Sequence, residues 1–275
     1  PMKQPQKAYN KKIFLAGLTI MNTGFKKLNK SLQSPFAHPY PPVMDTANYI
    51  CEEIKKNVKS SFADELIFLT SKYSKIQTSQ KQALDKMTPL GRALVLSGPS
   101  YSPLAGKVFD KVDGRIQAYN KWEALVAGNM IWDHKSVIIQ LQNSQKWACD
   151  STTGLKFMYD IWSNIHYGFV GRFVGFTEFE LINGAGYAQI CDNKKPLWEW
   201  TTAYVVNRFV DIGDADILGG FDDAEDTQAI KVGFSLYNKF GKAAFALTSQ
   251  DIINEILSFY YNDKPIHVAK CEYHR

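Results

Sequence analysis

One ten-residue stretch of this chain carries a dense mixture of side chains that can do chemistry. From Tyr159 to Gly168 the sequence reads YDIWSNIHYG, which offers a carboxylate, an amide, an imidazole, phenols and an indole. A polar side chain buried among apolar ones costs about 1–3 kcal/mol unless it finds a partner. The stretch therefore predicts a cleft lined by Asp160, Asn164 and His166. The competing interpretation is a helix whose first turn holds Asp160 and whose core holds a hydrogen-bonded His166.

A second polar group, Trp132-Asp133-His134-Lys135, places an acid, a base and a cation side by side. On a strand, Asp133 and Lys135 would point to one face and His134 to the other. The alternative is an exposed loop whose surface ion pair contributes almost nothing to stability.

Carboxylates form a third group, Asp222, Asp223 and Asp226. Asp223 and Asp226 are explained by the preference of helix N-termini for acids, whereas Asp222 is not. A divalent metal ion could use these carboxylates, although their spacing does not match an EF-hand loop. Two further carboxylates, Glu178 and Glu180, precede this group in the chain. Thr177 and Glu180 form a capping box, which leaves the Glu178 carboxylate free to reach a cleft.

Composition sets broad bounds on the function. The chain has 275 residues, of which 45% are hydrophobic and 21% are charged, so a folded globular protein is expected. A net charge of +5 permits a polyanionic partner without requiring one. No apolar run is long enough for a transmembrane segment, and no clear signal peptide is present. The four cysteines lack a C-x-x-C pair; free buried thiols are expected, or a Cys149–Cys191 bridge in an oxidising compartment.

The sequence pattern around these residues predicts an α+β fold, predominantly helical with a small antiparallel β-hairpin or sheet. Residues 1–40 form a basic leader that ends in a proline-rich hinge, and residues 41–275 form the functional domain, with an inserted helical region near 60–112. The predicted strands are 136–142 and 155–160. Predicted helices begin at Asp45 or Thr46, within 62–95, at 115–126, from Ile161, after Thr177 with a break at Gly184-Ala185-Gly186, after Asp223 up to Gly241, and at 249–260.

Five motifs in this order resemble the polymorphic toxin type 44 domain of bacterial conflict systems. They are Trp132–Lys135, Tyr159–Gly171, Gly175–Glu178, Gly184–Gln189 and Phe221–Asp226. The resemblance covers about residues 41–245, with departures at Phe169, Thr177 and Ala224. It implies an antibacterial toxin that a contact-dependent or type VI-like secretion apparatus delivers and a cognate immunity protein neutralises. It implies no particular reaction.

Carboxylates with histidines suit hydrolysis by general acid–base catalysis, and no serine or cysteine triad is evident. The candidate catalytic residues are Asp133, His134, Asp160, His166, Glu178 and Asp222. The leading hypothesis is a peptidoglycan glycosidase that needs no cofactor and acts in the target periplasm, with Asp160 and Glu178 as the first acid–base pair. The candidate substrate-binding residues are Trp132, Lys135, Trp162, Asn164, Tyr167 and Arg172. Trp132, Trp162, Tyr167 and Phe169 could stack on sugar rings, or could be core residues.

The alternative hypothesis is a nuclease that acts in the target cytoplasm. His134 and His166 would serve as base and acid, and Lys135 or Arg172 would bind phosphate. In a metal-dependent variant, Asp222, Asp223 and Asp226 would hold a divalent ion. A membrane-active toxin is a third class, which the lack of a long apolar helix disfavours.

Overall fold

The computed structural model describes residues 40–71, 103–192 and 222–272; in the second range, side chains are described for residues 115–189. These residues form a mainly helical α+β structure with a small antiparallel sheet, which confirms the predicted fold class. Two predicted segments lie outside the described residues: the basic leader up to residue 39, and residues 72–102 of the inserted region, which include the loop at 97–102. The division into a leader and a functional domain therefore stays a prediction.

Helices make up most of the described residues. They are α1 (Val43–Asn57), α2 (61–71), α3 (Pro103–Val126), α4 (Lys135–Leu141), α5 (Tyr159–Phe173), α6 (Glu178–Asp192), α7 (Ala224–Phe240), a 3-10 helix (Gly241–Ala246) and α8 (Ser249–Tyr261). Helix α1 begins two residues before Asp45, because Pro42 has the extended backbone of an N-cap and needs no N–H partner. Across the ranges that the structure describes, no helix has the length and apolarity needed to cross a bilayer.

The sheet has three short antiparallel strands in the order β1 (Trp147–Asp150), β2 (Leu155–Met158) and β3 (Val268–Lys270). Gly154 closes the β1–β2 turn with a positive φ of 68°. The Asp150 carboxylate accepts hydrogen bonds from the Thr152 N–H and the Thr153 hydroxyl, at 3.0 and 2.7 Å. The predicted strand near 155–160 is confirmed, but its hairpin partner is β1.

The prediction of a strand at 136–142 is wrong, because these residues form helix α4 and its C-cap. Three buried residues, His134, Ile138 and Gln142, follow one another at intervals of four. This interval places them on one face of a helix, where they pack inwards, and the β-branched residues between them are only partly buried. Tertiary contacts thus override the local preference of Val137, Ile138 and Ile139 for a strand.

Helices α5 and α7 cross at the centre of the fold through glycines. A Cβ atom built on Gly168 would lie 2.3 Å from the Ile230 carbonyl oxygen, and one on Gly233 would lie 2.4 Å from the Ile165 carbonyl oxygen. The two backbones can therefore approach closely only because neither position carries a side chain. Large apolar side chains of α5 surround this crossing in the core.

Helix α6 starts as predicted, with the Thr177–Glu180 capping box formed in both directions. The predicted break at Gly184-Ala185-Gly186 is wrong, since the helix continues to Asp192. A Cβ atom on Gly184 would lie 3.1 Å from the Tyr167 hydroxyl oxygen, so the small residue lets α6 pack close to α5. Helix α7 is capped by Asp223 and ends at Gly241, as predicted.

A disulfide joins Cys149 on β1 to Cys271, the residue after β3. The expectation of free buried thiols is therefore wrong for Cys149 and Cys271, and so is the alternative of a Cys149–Cys191 bridge. Cys51 is a free, buried thiol.

Candidate active site

Three side chains from distant parts of the chain converge and form the carboxylate–histidine cluster, defined as Asp160, Asp226 and His267. One oxygen or nitrogen atom from each lies within 4.8 Å of the corresponding atoms of the other two. Asp160 stands in the first turn of α5 and Asp226 in the first turn of α7, where acids are favoured by the helix dipole. His267 directly precedes β3, and its carbonyl accepts a hydrogen bond from the Met158 N–H at 3.1 Å.

The two carboxyl groups of the cluster have different environments. His267 Nδ1 lies 3.2 Å from Asp160 Oδ2, and this hydrogen bond raises the pKa of His267. Burial raises the pKa of Asp226, with a further increase from the Asp160 charge and an opposing effect from Lys135. Asp226 therefore keeps its proton to a higher pH than an exposed aspartate would, and it lies beside the Asp160–His267 pair. Two carboxyl groups in such unlike environments are the usual arrangement for an acid and a base.

Buried, unpartnered oxygens mark the cluster as more than a surface group of acids. Asp160 is only 8% exposed, and its Oδ1 has no hydrogen-bond partner. Asp226 Oδ1 is likewise buried without a partner. Unsatisfied buried oxygens call for a proton, a water molecule or a cation. Carboxylate oxygens and an imidazole nitrogen also suit a divalent ion, so within the described part of the chain these three residues form the group that could hold a metal.

Lys135 supplies positive charge to the cluster. Burial on its own would lower the pKa of Lys135, but the charges of Asp226, Asp160 and Asp133 outweigh it and raise that pKa. Asp133 has a structural task as well, since its carboxylate accepts from the N–H groups of Asn129 and Lys135, at 2.8 and 3.1 Å. The Trp132–Lys135 motif thus contributes a cation to the cluster and an acid, Asp133, that accepts from the first N–H of α4.

His134 and His166 pair with each other in the core, away from the cluster. Their ring centroids are 4.2 Å apart, and they are 2% and 0% exposed. Tyr49 hydrogen-bonds to His134 Nδ1 at 3.0 Å, and the Asn57 amide donates to His166 Nε2 at 2.9 Å. Burial lowers the pKa of His134 to about 4 and that of His166 well below 6.5. The pair is neutral and enclosed, so the structure does not present it to a phosphodiester substrate.

Glu178 and Arg172 lie at the opposite end of α5 from Asp160. The carboxylate of Glu178 is 3.8 Å from the Arg172 guanidinium and half exposed. Asp160 and Arg172 are twelve residues apart on one helix, which corresponds to about 18 Å. The structure therefore does not bring Asp160 and Glu178 together, because a glycosidase pair requires carboxyl groups at most about 9.5 Å apart.

The three aspartates of the third motif separate. Asp222 is buried and accepts from the Thr227 hydroxyl at 3.1 Å, while Asp223 caps α7. Only Asp226 joins the cluster, so the predicted metal set of Asp222, Asp223 and Asp226 does not converge.

The predicted sugar-stacking aromatics are core residues. Trp132, Trp162 and Phe169 are buried, and the half-buried Tyr167 donates its hydroxyl to the Leu181 carbonyl at 3.0 Å. Asn164 lies one turn beyond Asp160, and its buried Nδ2 has no hydrogen-bond partner. Two of the predicted substrate-binding residues are linked to the cluster: Lys135 by its charge interaction with Asp226 and Asp160, and Asn164 by its position one helical turn after Asp160.

Sequence reasoning missed His267 entirely. The residue lies far from the motifs, in the run Pro265-Ile266-His267-Val268-Ala269-Lys270. Ile266 and Val268 are buried on either side of it, and this alternation is typical of a half-buried strand. The pattern could have indicated a strand with His267 on its other face, but not where that strand would pair.

Comparison with known proteins agrees with the resemblance drawn from the motifs. A family model described as bacterial toxin 44 matches residues 121–239, which include Lys135, Asp160 and Asp226 but not His267. The match is shorter than the predicted extent of about 41–245. No curated protein and no solved structure matches the chain. Residues 121–239 are therefore similar to the bacterial toxin 44 domain, the same family that the five motifs resemble.

Proposed function

We propose that this toxin is a secreted antibacterial effector that hydrolyses peptidoglycan, with the carboxylate–histidine cluster as its catalytic centre. The observation that carries the proposal is the convergence of Asp160 and Asp226, two carboxyl groups in unlike environments, beside an imidazole. Enzymes that cleave glycosidic bonds use such a pair of carboxyl groups. The catalytic pair is thus Asp160 with Asp226, in place of Asp160 with Glu178.

In this mechanism Asp226 donates its proton to the leaving glycosidic oxygen, since burial favours its protonated form. Asp160, oriented by His267, attacks or acts as the base. Reacting atoms within 4.8 Å of one another leave little room for a water molecule between the carboxyl groups, which favours direct attack and retention of configuration. Acid–base catalysis of this kind contributes about 10²- to 10⁴-fold to the rate.

The proposed function implies partners and a compartment. The producing cell needs a cognate immunity protein and a secretion apparatus, and the toxin meets its substrate in the target periplasm. The Cys149–Cys271 disulfide supports this compartment, because disulfides form in the periplasm and are rare in the cytosol.

The test compares killing by Asp226→Asn with killing by the wild type and by Glu178→Gln, each expressed in a sensitive bacterium with and without a periplasmic signal. We expect the wild type and Glu178→Gln to kill only from the periplasm and to release soluble fragments from purified cell walls. Asp226→Asn should lose about 10²-fold or more of this activity. Equal activity of Asp226→Asn and wild type would contradict the assignment of the cluster.

A metal-dependent nuclease is the second candidate function. Its support is the set of donor atoms in the cluster together with the net charge of +5, which would attract a polyanion. This function predicts killing from the cytoplasm, degradation of RNA or DNA, and loss of cleavage by the purified protein in a chelator. Those results, with intact cell walls, would replace the first proposal by the second.

A further inference from the structure

His267 reaches the cluster from a short and weakly supported strand. Strand β3 has three residues and pairs with β2 alone, with Val268 opposite Phe157 and Lys270 opposite Leu155. The residues that precede it, 262–265, are exposed, so the approach to His267 from α8 adds little packing. Ile266 and Val268 supply the buried apolar contacts of this segment. A strand with so few contacts belongs to the part of a fold that opens most readily.

A covalent bond holds the far end of this strand. Cys271 follows His267 by four residues and is linked to Cys149 on β1, on the other side of β2. The Cys271 N–H also donates to the Gly154 carbonyl at 2.8 Å, and this hydrogen bond holds the end of β3 against the β1–β2 turn. Without the disulfide, β3 would depend on its backbone hydrogen bonds, two apolar side chains, the His267–Asp160 contact and a Lys156–Glu272 ion pair in which Glu272 is exposed.

We propose that the Cys149–Cys271 disulfide is a redox switch, which keeps His267 beside Asp160 in an oxidising compartment and releases it in a reducing one. To form the bond, the two thiols lose two electrons and two protons to a disulfide oxidant, such as an oxidised thiol–disulfide oxidoreductase, which becomes a dithiol. Two thiols of the glutathione class reverse the reaction, restore both cysteines and are themselves joined as a disulfide.

The switch makes the cluster conditional on location. In the reducing cytoplasm of the producing cell, β3 detaches and the cluster consists of Asp160 and Asp226 without their imidazole. In the oxidising periplasm of a target cell, the disulfide forms and the cluster is complete. This consequence for toxicity rests on the proposed periplasmic function, whereas the coupling between the disulfide and β3 does not.

Hydrogen–deuterium exchange of the full chain tests the coupling without any substrate. We expect reduction by dithiothreitol to speed amide exchange in residues 266–271 at least about tenfold more than in residues 224–240 of α7, whose exchange changes only with the global free energy of unfolding. A Cys149→Ser/Cys271→Ser variant should show the fast exchange under both conditions. Cys51→Ala, which removes a free buried thiol, should respond to reduction like the wild type. Unchanged exchange in 266–271, or equal loss of protection in α7, would overturn a local switch.

Killing tests the consequence separately. The Cys149→Ser/Cys271→Ser variant, directed to the periplasm, should kill as poorly as His267→Gln. Killing at the wild-type level by the double cysteine variant would overturn the switch even if exchange had changed. If the wild type failed to kill from the periplasm, the proposed function would fail, and the exchange experiment would still decide the coupling.

Discussion

Burial divides the described histidines into two kinds. His134 and His166 share a dry environment with Tyr49 and Asn57, and neither has a carboxylate hydrogen-bonded to its ring. His267 is partly exposed and pairs with Asp160. The same side chain therefore packs as a neutral group with a lowered pKa in the first case and pairs with a carboxylate, which raises its pKa, in the second.

The buried pair should make the fold sensitive to acid. Above pH 6.5, His134 is neutral in both states; below it, the unfolded chain takes up a proton that the folded chain resists down to about pH 4. The free energy of unfolding should therefore fall between pH 6.5 and pH 4, by about 3 kcal/mol from His134 alone. Urea unfolding at pH 7 and pH 4.5 would measure the loss.

His134→Gln should lose less stability than the wild type over the same interval, because its side chain does not titrate. His267 has the opposite linkage, since its raised pKa stabilises the folded state below pH 6.5 and this contribution disappears as the pH rises. His267→Gln should therefore not reduce the acid loss. An identical acid loss in His134→Gln and wild type would show that the pair is not the cause.

The sequence motifs contained several residues of the site but did not indicate which of them come together. Asp160, Asp226 and Lys135 were all selected from the sequence, but they stood in three separate groups among residues with structural tasks. Asp223 caps α7, Glu180 completes the capping box of α6, and Asp133 accepts from the first N–H of α4. Residue types alone could not separate a capping acid from a cluster acid, since both prefer the first turn of a helix.

At the scale of elements, local signals located most helix ends and failed where packing decides. The Thr177–Glu180 capping box, the Asp223 N-cap and the Gly241 stop have short-range causes and could be predicted. Helix α4 could not, because its apolar run fits a strand equally well until the buried face is known. The pairing of β2 with β3 joins residues more than a hundred positions apart, which no local pattern encodes.

The α5–α7 crossing depends on the absence of side chains at Gly168 and Gly233. In Gly168→Ala, the new methyl group would meet the Ile230 carbonyl oxygen at 2.3 Å, so the helices must separate. We expect the free energy of unfolding to fall by about 3 kcal/mol, because overpacking outweighs the better helix propensity of alanine. Urea denaturation would measure this change.

Gly128→Ala is the matched control for the crossing. A Cβ atom at Gly128 meets nothing within 4 Å, and its φ is not positive. Its stability should stay within about 0.5 kcal/mol of the wild type. A Gly168→Ala variant as stable as Gly128→Ala would mean that the two helices can move apart at little cost. Because both helices carry a cluster carboxylate in their first turn, a displaced crossing should also reduce killing.

Over the whole molecule, one covalent link closes a long loop. The disulfide joins positions 122 residues apart, and this loop contains α5, α6, α7 and α8. Cross-linking so long a segment restricts the unfolded chain strongly, so reduction should lower the free energy of unfolding by about 2–5 kcal/mol. Urea midpoints with and without reductant would measure it. The urea midpoint of the Cys149→Ser/Cys271→Ser variant should not change with reductant. An unchanged midpoint in the wild type would contradict the expectation.

Because His267 lies outside residues 121–239, the end point chosen for a chimera of related chains decides whether the cluster is complete. A graft that ends at residue 239 would include Asp160 and Asp226 but would lack His267. A graft that runs through Cys271 would carry the imidazole but would need Cys149 from the same parent to fasten it. Boundaries drawn by sequence similarity and by chemical completeness therefore differ, and a chimera between related chains should follow the second.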